Sequence, residues 1–329
     1  MTGTSLTSDS VTADVDSESA SRQLAVSVVV CTHSEDRYDD FSEAVESVLD
    51  QTHDPVEAVL VVDGDEDLYR RVDDDYGDDD RVVTHCNDRN RGLLESRNVG
   101  AELAGGDVVA FIDDDAVADE RWLERLVDAY ESEDAVAAGG KMTPLWVGEQ
   151  PAYLPAEFYW LVGVTHRGFA DGEGEVRNTF GSNISFRRDA FLELGGFDSA
   201  IGGRKGDRNL QGGETELCAR LQAEYGEGVW YVPDAEVGHK VFEYRTDPLW
   251  LVERAFWQGY SKRAMETLVE ESGDEEGEFL GRLVTEYLPE RARRLARSPS
   301  ASELVQIVSI VAFTGLVGMG YVYGLLRYR

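Results

Sequence analysis

The chain is short of positive charge. Its 31 Lys and Arg stand against 65 Asp and Glu, a formal net charge of −34 over 329 residues. That shortage argues against nucleic acid as a partner, because phosphate-backbone binding needs clustered Lys and Arg. Cysteine is scarce as well. Cys31, Cys86 and Cys218 match no zinc spacing, and an odd count gives no disulfide framework, so a reducing compartment is the default. No long apolar run occurs before residue 304, and the N-terminus has no secretory signal pattern. Residues 1–23, rich in Ser, Thr, Asp and Ala, read as a disordered acidic tail. An acidic excess of this size keeps a protein soluble but self-repelling. Molar salt screens such repulsion over about 3 Å, so the composition reads as halophilic.

What is present is a rhythm of strands and helices. Buried strands are predicted at Ala25–Cys31, Val56–Val62 and Val136–Gly140, with shorter ones near Val82 and at Val229–Val232. Apolar residues at helical spacing follow the first strand (Phe41, Ala44, Val45, Val48), and further helices are predicted at Leu93–Ala104, from Trp122, and at Gly213–Tyr225. This alternation predicts an α/β fold with a parallel sheet covered on both faces. Residues 144–181 are aromatic and rich in Gly and Pro without clear periodicity. They read either as a substrate-facing wall or as a plain connection.

The most informative stretch is Val108-Val109-Ala110-Phe111-Ile112-Asp113-Asp114-Asp115. An apolar run with the length of a buried strand ends in three carboxylates. Asp73–Asp75 and Asp78–Asp80 read as solvated loop charge, and the triplet at 113–115 taken alone allows the same reading. Its context differs, because ligands of open α/β sheets bind beyond the carboxyl ends of strands. Adjacent carboxylates repel unless something positive sits between them. A hard divalent cation carrying substrate phosphates meets that need.

In order and spacing, several motifs resemble family 2 glycosyltransferases. They are Val28-Val29-Val30-Cys31-Thr32, Val61-Val62-Asp63-Gly64, Arg97-Asn98-Val99-Gly100 and the Asp113 triplet, then Gly181–Arg187, Gly195-Gly196-Phe197-Asp198 and Gly212–Leu217. The resemblance covers roughly Val26 to Ser261. It implies a GT-A fold, a UDP-sugar donor and an Mg²⁺ or Mn²⁺ cofactor. It places Thr32, Glu35, Asp63, Arg97, Asp113 and Asp114 at the nucleotide sugar, with Asp63 reading the uracil. It places Asp115 on the metal, His239 as a second metal ligand, and Glu214 as the catalytic base. The family often carries Asp where this chain has Glu214. The Gln-x-x-Arg-Trp motif of processive members is absent, which implies one sugar added per acceptor. With one base and no second nucleophilic carboxylate evident, inversion by direct displacement is the simplest mechanism.

From Leu304 to Leu326 there is no charged residue. A helix of that length, about 34 Å, exceeds a hydrocarbon core of about 30 Å. It reads as a single transmembrane helix, with a buried core helix as the other reading. Arg291, Arg293, Arg294 and Arg297 precede it, so the large N-terminal portion is expected in the cytoplasm. The predicted organisation is a glycosyltransferase domain at 24–247, an amphipathic helical region at 248–303 and the span at 304–326. Acidity, C-terminal span and motifs together are similar to the glycosyltransferases of haloarchaeal N-glycosylation. Those build a glycan on dolichol phosphate for the surface-layer glycoprotein, which implies glucuronic acid as the transferred sugar and a lipid-linked saccharide as acceptor. Arg204, Lys205 and Arg208 are candidates for reading a uronic carboxylate. Exopolysaccharide or glycolipid synthesis is the alternative for the same chemistry, and a non-catalytic sugar-nucleotide-binding scaffold the alternative of another class.

Overall fold

In the computed structural model residues 23–201, 204–205, 208–268 and 274–327 are described. The tail predicted at 1–23 lies almost wholly outside them. The elements alternate from the start: β1 (Val26–Thr32), α1 (Tyr38–Leu49), β2 (Val56–Val62), α2 (Glu66–Tyr76), β3 (Val82–Cys86), α3 (Leu93–Leu103) and β4 (Val108–Asp113). There follow β5 (Ala116–Ala118), α4 (Trp122–Ser132), β6 (Ala137–Trp146), β7 (Gly174–Val176), β8 (Ile184–Arg187) and α5 (Arg188–Glu193). A small ribbon, β9 (Arg204–Lys205) and β10 (Arg208–Asn209), leads to α6 (Gly213–Tyr225) and β11 (Val229–Val241). Four helices close the chain: α7 (Pro248–Leu268), α8 (Asp274–Arg282), α9 (Leu288–Arg297) and α10 (Ala301–Arg327). The candidates Arg204, Lys205 and Arg208 fall on that ribbon, whose side chains lie outside the description.

The main sheet runs β3-β2-β1-β4-β8-β6-β11-β5, with β7 on β11. From β3 to β4 it is parallel, as predicted. Beyond β4 the expectation of a purely parallel sheet fails, because β8 is inserted antiparallel between β4 and β6. The chain leaves β6, makes the long excursion over 147–183, and returns in the opposite sense. Both faces of the sheet are covered. Val28 and Val30 of β1 pack with Phe41, Val45 and Val48 of α1, whereas Val29 and Cys31 face Phe111, Phe186, Phe191 and Phe197. This alternation is the period-two geometry of a strand buried on both sides.

The strand predicted at Val229–Val232 continues to Val241. Pro233 and Asp234 do not end it; they sit in a register shift against β6 between Val232 and Glu236, as proline in a strand requires. His239 is therefore a strand residue, paired with Ala116 of β5. The buried amide of Asn183 ties this region together. It donates to Lys141 O and Ala235 O and accepts from Trp122 Nε1.

Helix α10 is long and apolar enough to cross a membrane, by length and composition. Leu304, Val308, Val311, Met319, Val322 and Leu326 on it are exposed. Its N-terminal end is held by Arg291, which pairs with Glu303 at 3.2 Å and with the buried Glu157 at 2.7 Å. Gly320 and Gly324, a pair that suggests helix–helix association, pack on α7 of the same chain. A Cβ at Gly320 would lie 1.8 Å from Phe256 O, and one at Gly259 would lie 1.9 Å from Val317 O. Gly320→Val should therefore force α7 and α10 apart and destabilise the full chain by about 1–3 kcal/mol. Gly318, which has nothing within 4 Å of its Cβ position among the described residues, should tolerate Ala. Thermal unfolding of both variants in detergent checks the contrast.

Candidate active site

The carboxyl ends of β1, β2 and β4 converge on one edge of the sheet. Thr32 ends β1 and its hydroxyl donates to Asp114 Oδ2 at 3.1 Å. Asp63 follows β2 and is buried. Both of its oxygens are occupied within the chain: the Arg91 N–H and Asn87 amide donate to Oδ1, and the Gly92 N–H donates to Oδ2. Burial works against the ionised carboxyl of Asp63, yet these hydrogen bonds outweigh it and hold its pKa below the usual range. Asp63 thus staples the 87–92 loop. Glu35 lies at the surface, paired with Arg71 of α2, and the structure does not bring it to the carboxylate cluster.

Asp113, Asp114 and Asp115 diverge. Asp113 Oδ1 accepts from Arg97 Nη2 at 2.6 Å. Asp114 is pushed up to about 7 by burial, then by its two carboxylate neighbours. Asp115 is buried and lies between two cations, Arg37 Nη1 at 3.1 Å and Arg245 Nη2 at 3.0 Å, with the imidazole of His239 at 3.4 Å. Burial holds His239 below its ordinary pKa, with Asp115 opposing and Arg245 adding to the shift. Asp113, Asp115 and His239 each offer a ligand atom, all within 4.8 Å of one another. Two carboxylates and a neutral imidazole suit a divalent cation. Among the described residues the buried Nδ1 of His239 has no hydrogen-bond partner, while Arg245 Nη1 lies 2.9 Å from its Nε2.

Glu214 stands in the first turn of α6, after Gly212 at φ +125°. Its Oε1 lies 3.3 Å from Arg97 Nη1. Gly181 makes room for it: a Cβ there would sit 2.1 Å from Glu214 Oε1. Arg97 is 2% exposed and so joins Asp113 to Glu214 through a buried guanidinium. Burial opposes the charge on Arg97, but the two carboxylates more than restore it. All three line one cavity of about 860 Å³, whose other walls include His239, Arg245, Trp160 and α7 residues.

Arg37 and Arg245 were not among the sequence candidates. Arg37 lies two residues beyond Glu35, in a single 3₁₀ turn after β1, and Arg245 lies six beyond His239 in another. Neither turn has a periodicity that would show where an arginine reaches.

A sheet edge bearing a carboxylate–imidazole cluster, with an acidic side chain across one cavity, defines a glycosyltransferase of GT-A architecture. The chain belongs to glycosyl transferase family 2, whose model matches residues 27–195. A relative in Haloferax volcanii, glucosyl-dolichyl phosphate glucuronosyltransferase, is 54% identical over 304 residues, covering 92% of this chain and 97% of that protein. The mannosyltransferase PcManGT from Pyrobaculum calidifontis, solved with GDP-Man and Mn²⁺, matches with a TM-score of 0.55 at 16% identity, over 94% of this chain and 89% of that one. GalNAc-T7, solved with UDP, GalNAc and Mn²⁺, matches at a TM-score of 0.54 and 19% identity, over 79% and 54%. At these identities the likeness to the two structures is one of fold.

Removing the guanidinium leaves two carboxylates facing each other. Arg97→Met should cost about 3 kcal/mol, the low end for a broken buried pair, because both carboxylates reach the cavity. Arg97→Lys should recover only part of this, since an ammonium lacks the planar fork. Urea unfolding midpoints in high salt check the order.

Proposed function

We propose that this enzyme transfers one glucuronic acid residue from UDP-glucuronic acid to a glucose-bearing dolichyl phosphate, with inversion. The step belongs to assembly of the lipid-linked glycan for surface-layer N-glycosylation. One observation carries the reading: Asp113 of the ligand cluster and Glu214 line the same cavity, held in register by Arg97. The name of the Haloferax relative supports the choice of sugar and acceptor.

Thr32, Asp63 and Asp114 stand at the strand ends where the nucleotide half of the donor docks, and Asp63 also orders the 87–92 loop there. Arg37 and Arg245, already beside Asp115, meet the diphosphate. Asp113, Asp115 and His239 hold the divalent cation, which when bound offsets the negative charge developing on the leaving diphosphate. The imidazole donor favours Mn²⁺ over Mg²⁺. Glu214 takes the proton of the acceptor hydroxyl as its oxygen bonds to the anomeric carbon. The bond from that carbon to UDP breaks, and UDP leaves with the electron pair. Arg97, 3.3 Å from its Oε1, keeps Glu214 aimed. Helix α10 anchors the chain as a single span, with the catalytic body on the cytoplasmic side where UDP-sugar is found.

The test uses the full chain in membranes with labelled UDP-glucuronic acid, Mn²⁺ and dolichyl phosphate-glucose in molar salt. Label should enter the lipid fraction, and chelation should abolish this. Glu214→Gln should lower kcat about a hundredfold or more while UDP still protects the protein against thermal unfolding in Mn²⁺. Full activity in Glu214→Gln would move the base elsewhere. Transfer from another UDP-sugar, or to a non-phosphorylated glycolipid alone, would overturn the donor or acceptor assignment.

A further inference from the structure

Helix α7 has two working faces. Trp250, Arg254, Gln258, Lys262 and Met265 line the cavity, at spacings of three and four that put them on one side of a helix. The opposite side, with Phe256, Gly259 and Tyr260, is pressed against α10. One helix thus separates the reaction cavity from the apolar C-terminal helix, a distance of about 10 Å.

Arg254 is the unusual residue on the cavity face. Its Nε donates to Leu161 O at 3.3 Å, which fixes the guanidinium in the wall. Among the described residues no carboxylate forms an ion pair with it. Its ring neighbour is Trp250, whose centroid lies 5.9 Å from Cζ. In a chain with more than twice as many acids as bases, most other arginines of the fold have a carboxylate partner; this one does not. Burial, with Arg245 adding to it, lowers its pKa to about 10, which leaves it cationic at neutral pH. A half-buried cation without a partner is costly unless an anion arrives. Lys262, two turns further along the same face, lies 5.6 Å from the ring of Trp160 and extends the positive wall by about 12 Å.

We propose that Arg254, supported by Lys262, forms the subsite for the phosphate of the lipid-linked acceptor. The inference rests on the acceptor reading given above and names the residues that recognise its anion. A guanidinium fork grips a phosphate with two parallel hydrogen bonds. The donor diphosphate has its own cations, Arg37 and Arg245, at the Asp115 edge. The anion at Arg254 lies instead on the wall that backs onto α10, where an acceptor with an apolar tail leaves its phosphate while its sugar reaches Glu214. The same cationic chemistry would also bind the carboxylate of a uronic donor, and the test separates the two sources.

The experiment compares the full-length enzyme with Arg254→Gln and Arg254→Lys on two acceptors, a polyprenyl phosphate-glucose and an uncharged alkyl glucoside. The ratio of kcat/KM for the phosphorylated acceptor over the neutral one should fall about tenfold in Arg254→Gln and partly recover in Arg254→Lys. KM for UDP-glucuronic acid should stay within twofold. A preserved acceptor ratio would overturn the subsite. So would a change that appears instead as lost discrimination between UDP-glucuronic acid and UDP-glucose, which would give Arg254 to the donor. Failure of the wild-type enzyme to use any lipid-linked glucose would count against the acceptor reading itself. In that case titration with the polyprenyl phosphate alone, read by tryptophan fluorescence, still decides the site: quenching in the wild type lost in Arg254→Gln supports it, and equal quenching in both overturns it.

Discussion

The buried guanidinium of Arg97 is the interaction on which the site depends. It takes Asp113 from the end of β4 and Glu214 from the start of α6, two residues 101 positions apart, and gives each a charged partner away from bulk water. The backbone around it is arranged to the same end. Asn98, next in sequence, exchanges two hydrogen bonds with the backbone of Phe197, and Phe197 and Phe111 lie near the guanidinium. The Arg-Asn-x-Gly and Gly-Gly-Phe-Asp motifs are thus two sides of one clamp, and Gly100 lets α3 approach Val29 closely enough to close it.

Charge explains why this clamp is needed. Three consecutive carboxylates at a strand end repel one another, and the protein compensates each differently. Asp113 is paired with Arg97, and Asp115 is surrounded by Arg37, Arg245 and His239. Asp114 is left with a hydroxyl donor and is raised toward neutrality by burial and its neighbours. Elsewhere the acidic excess faces solvent, where molar salt screens it. The buried cations sit where screening by salt is weakest: in the cavity and beneath α10, where Arg291 reaches the buried Glu157.

Much of this could be read in the sequence. The β1–β4 half, with its helices, follows the apolar periodicity closely, because β1, β2 and β4 are buried on both faces and the helices on one. What escaped was set by pairings that no local pattern records. The reversal of β8 depends on where a long excursion returns, and the continuation of β11 past Pro233 depends on a register shift in its neighbour. The site divides the same way. Asp113, Asp115, Glu214, Arg97 and His239 were singled out and are brought together. Glu35 was singled out and pairs with α2, whereas Arg37, two residues on, turns to Asp115. A single 3₁₀ turn decides between them, and composition is blind to it.

The glutamate at 214 is best understood together with the glycine at 181. A glutamate extends its carboxylate one methylene further than an aspartate from the same backbone position. In this fold that extra reach is accommodated by the missing side chain at Gly181, where a Cβ would occupy the place of Oε1 and also lie 2.6 Å from Arg97 Nη1. The space left at Gly181 lets the longer acid contact the guanidinium of Arg97. The carboxylate that faces the cavity is placed by three residues from three segments, Arg97, Gly181 and Glu214, and the chemistry asked of it depends on all three at once.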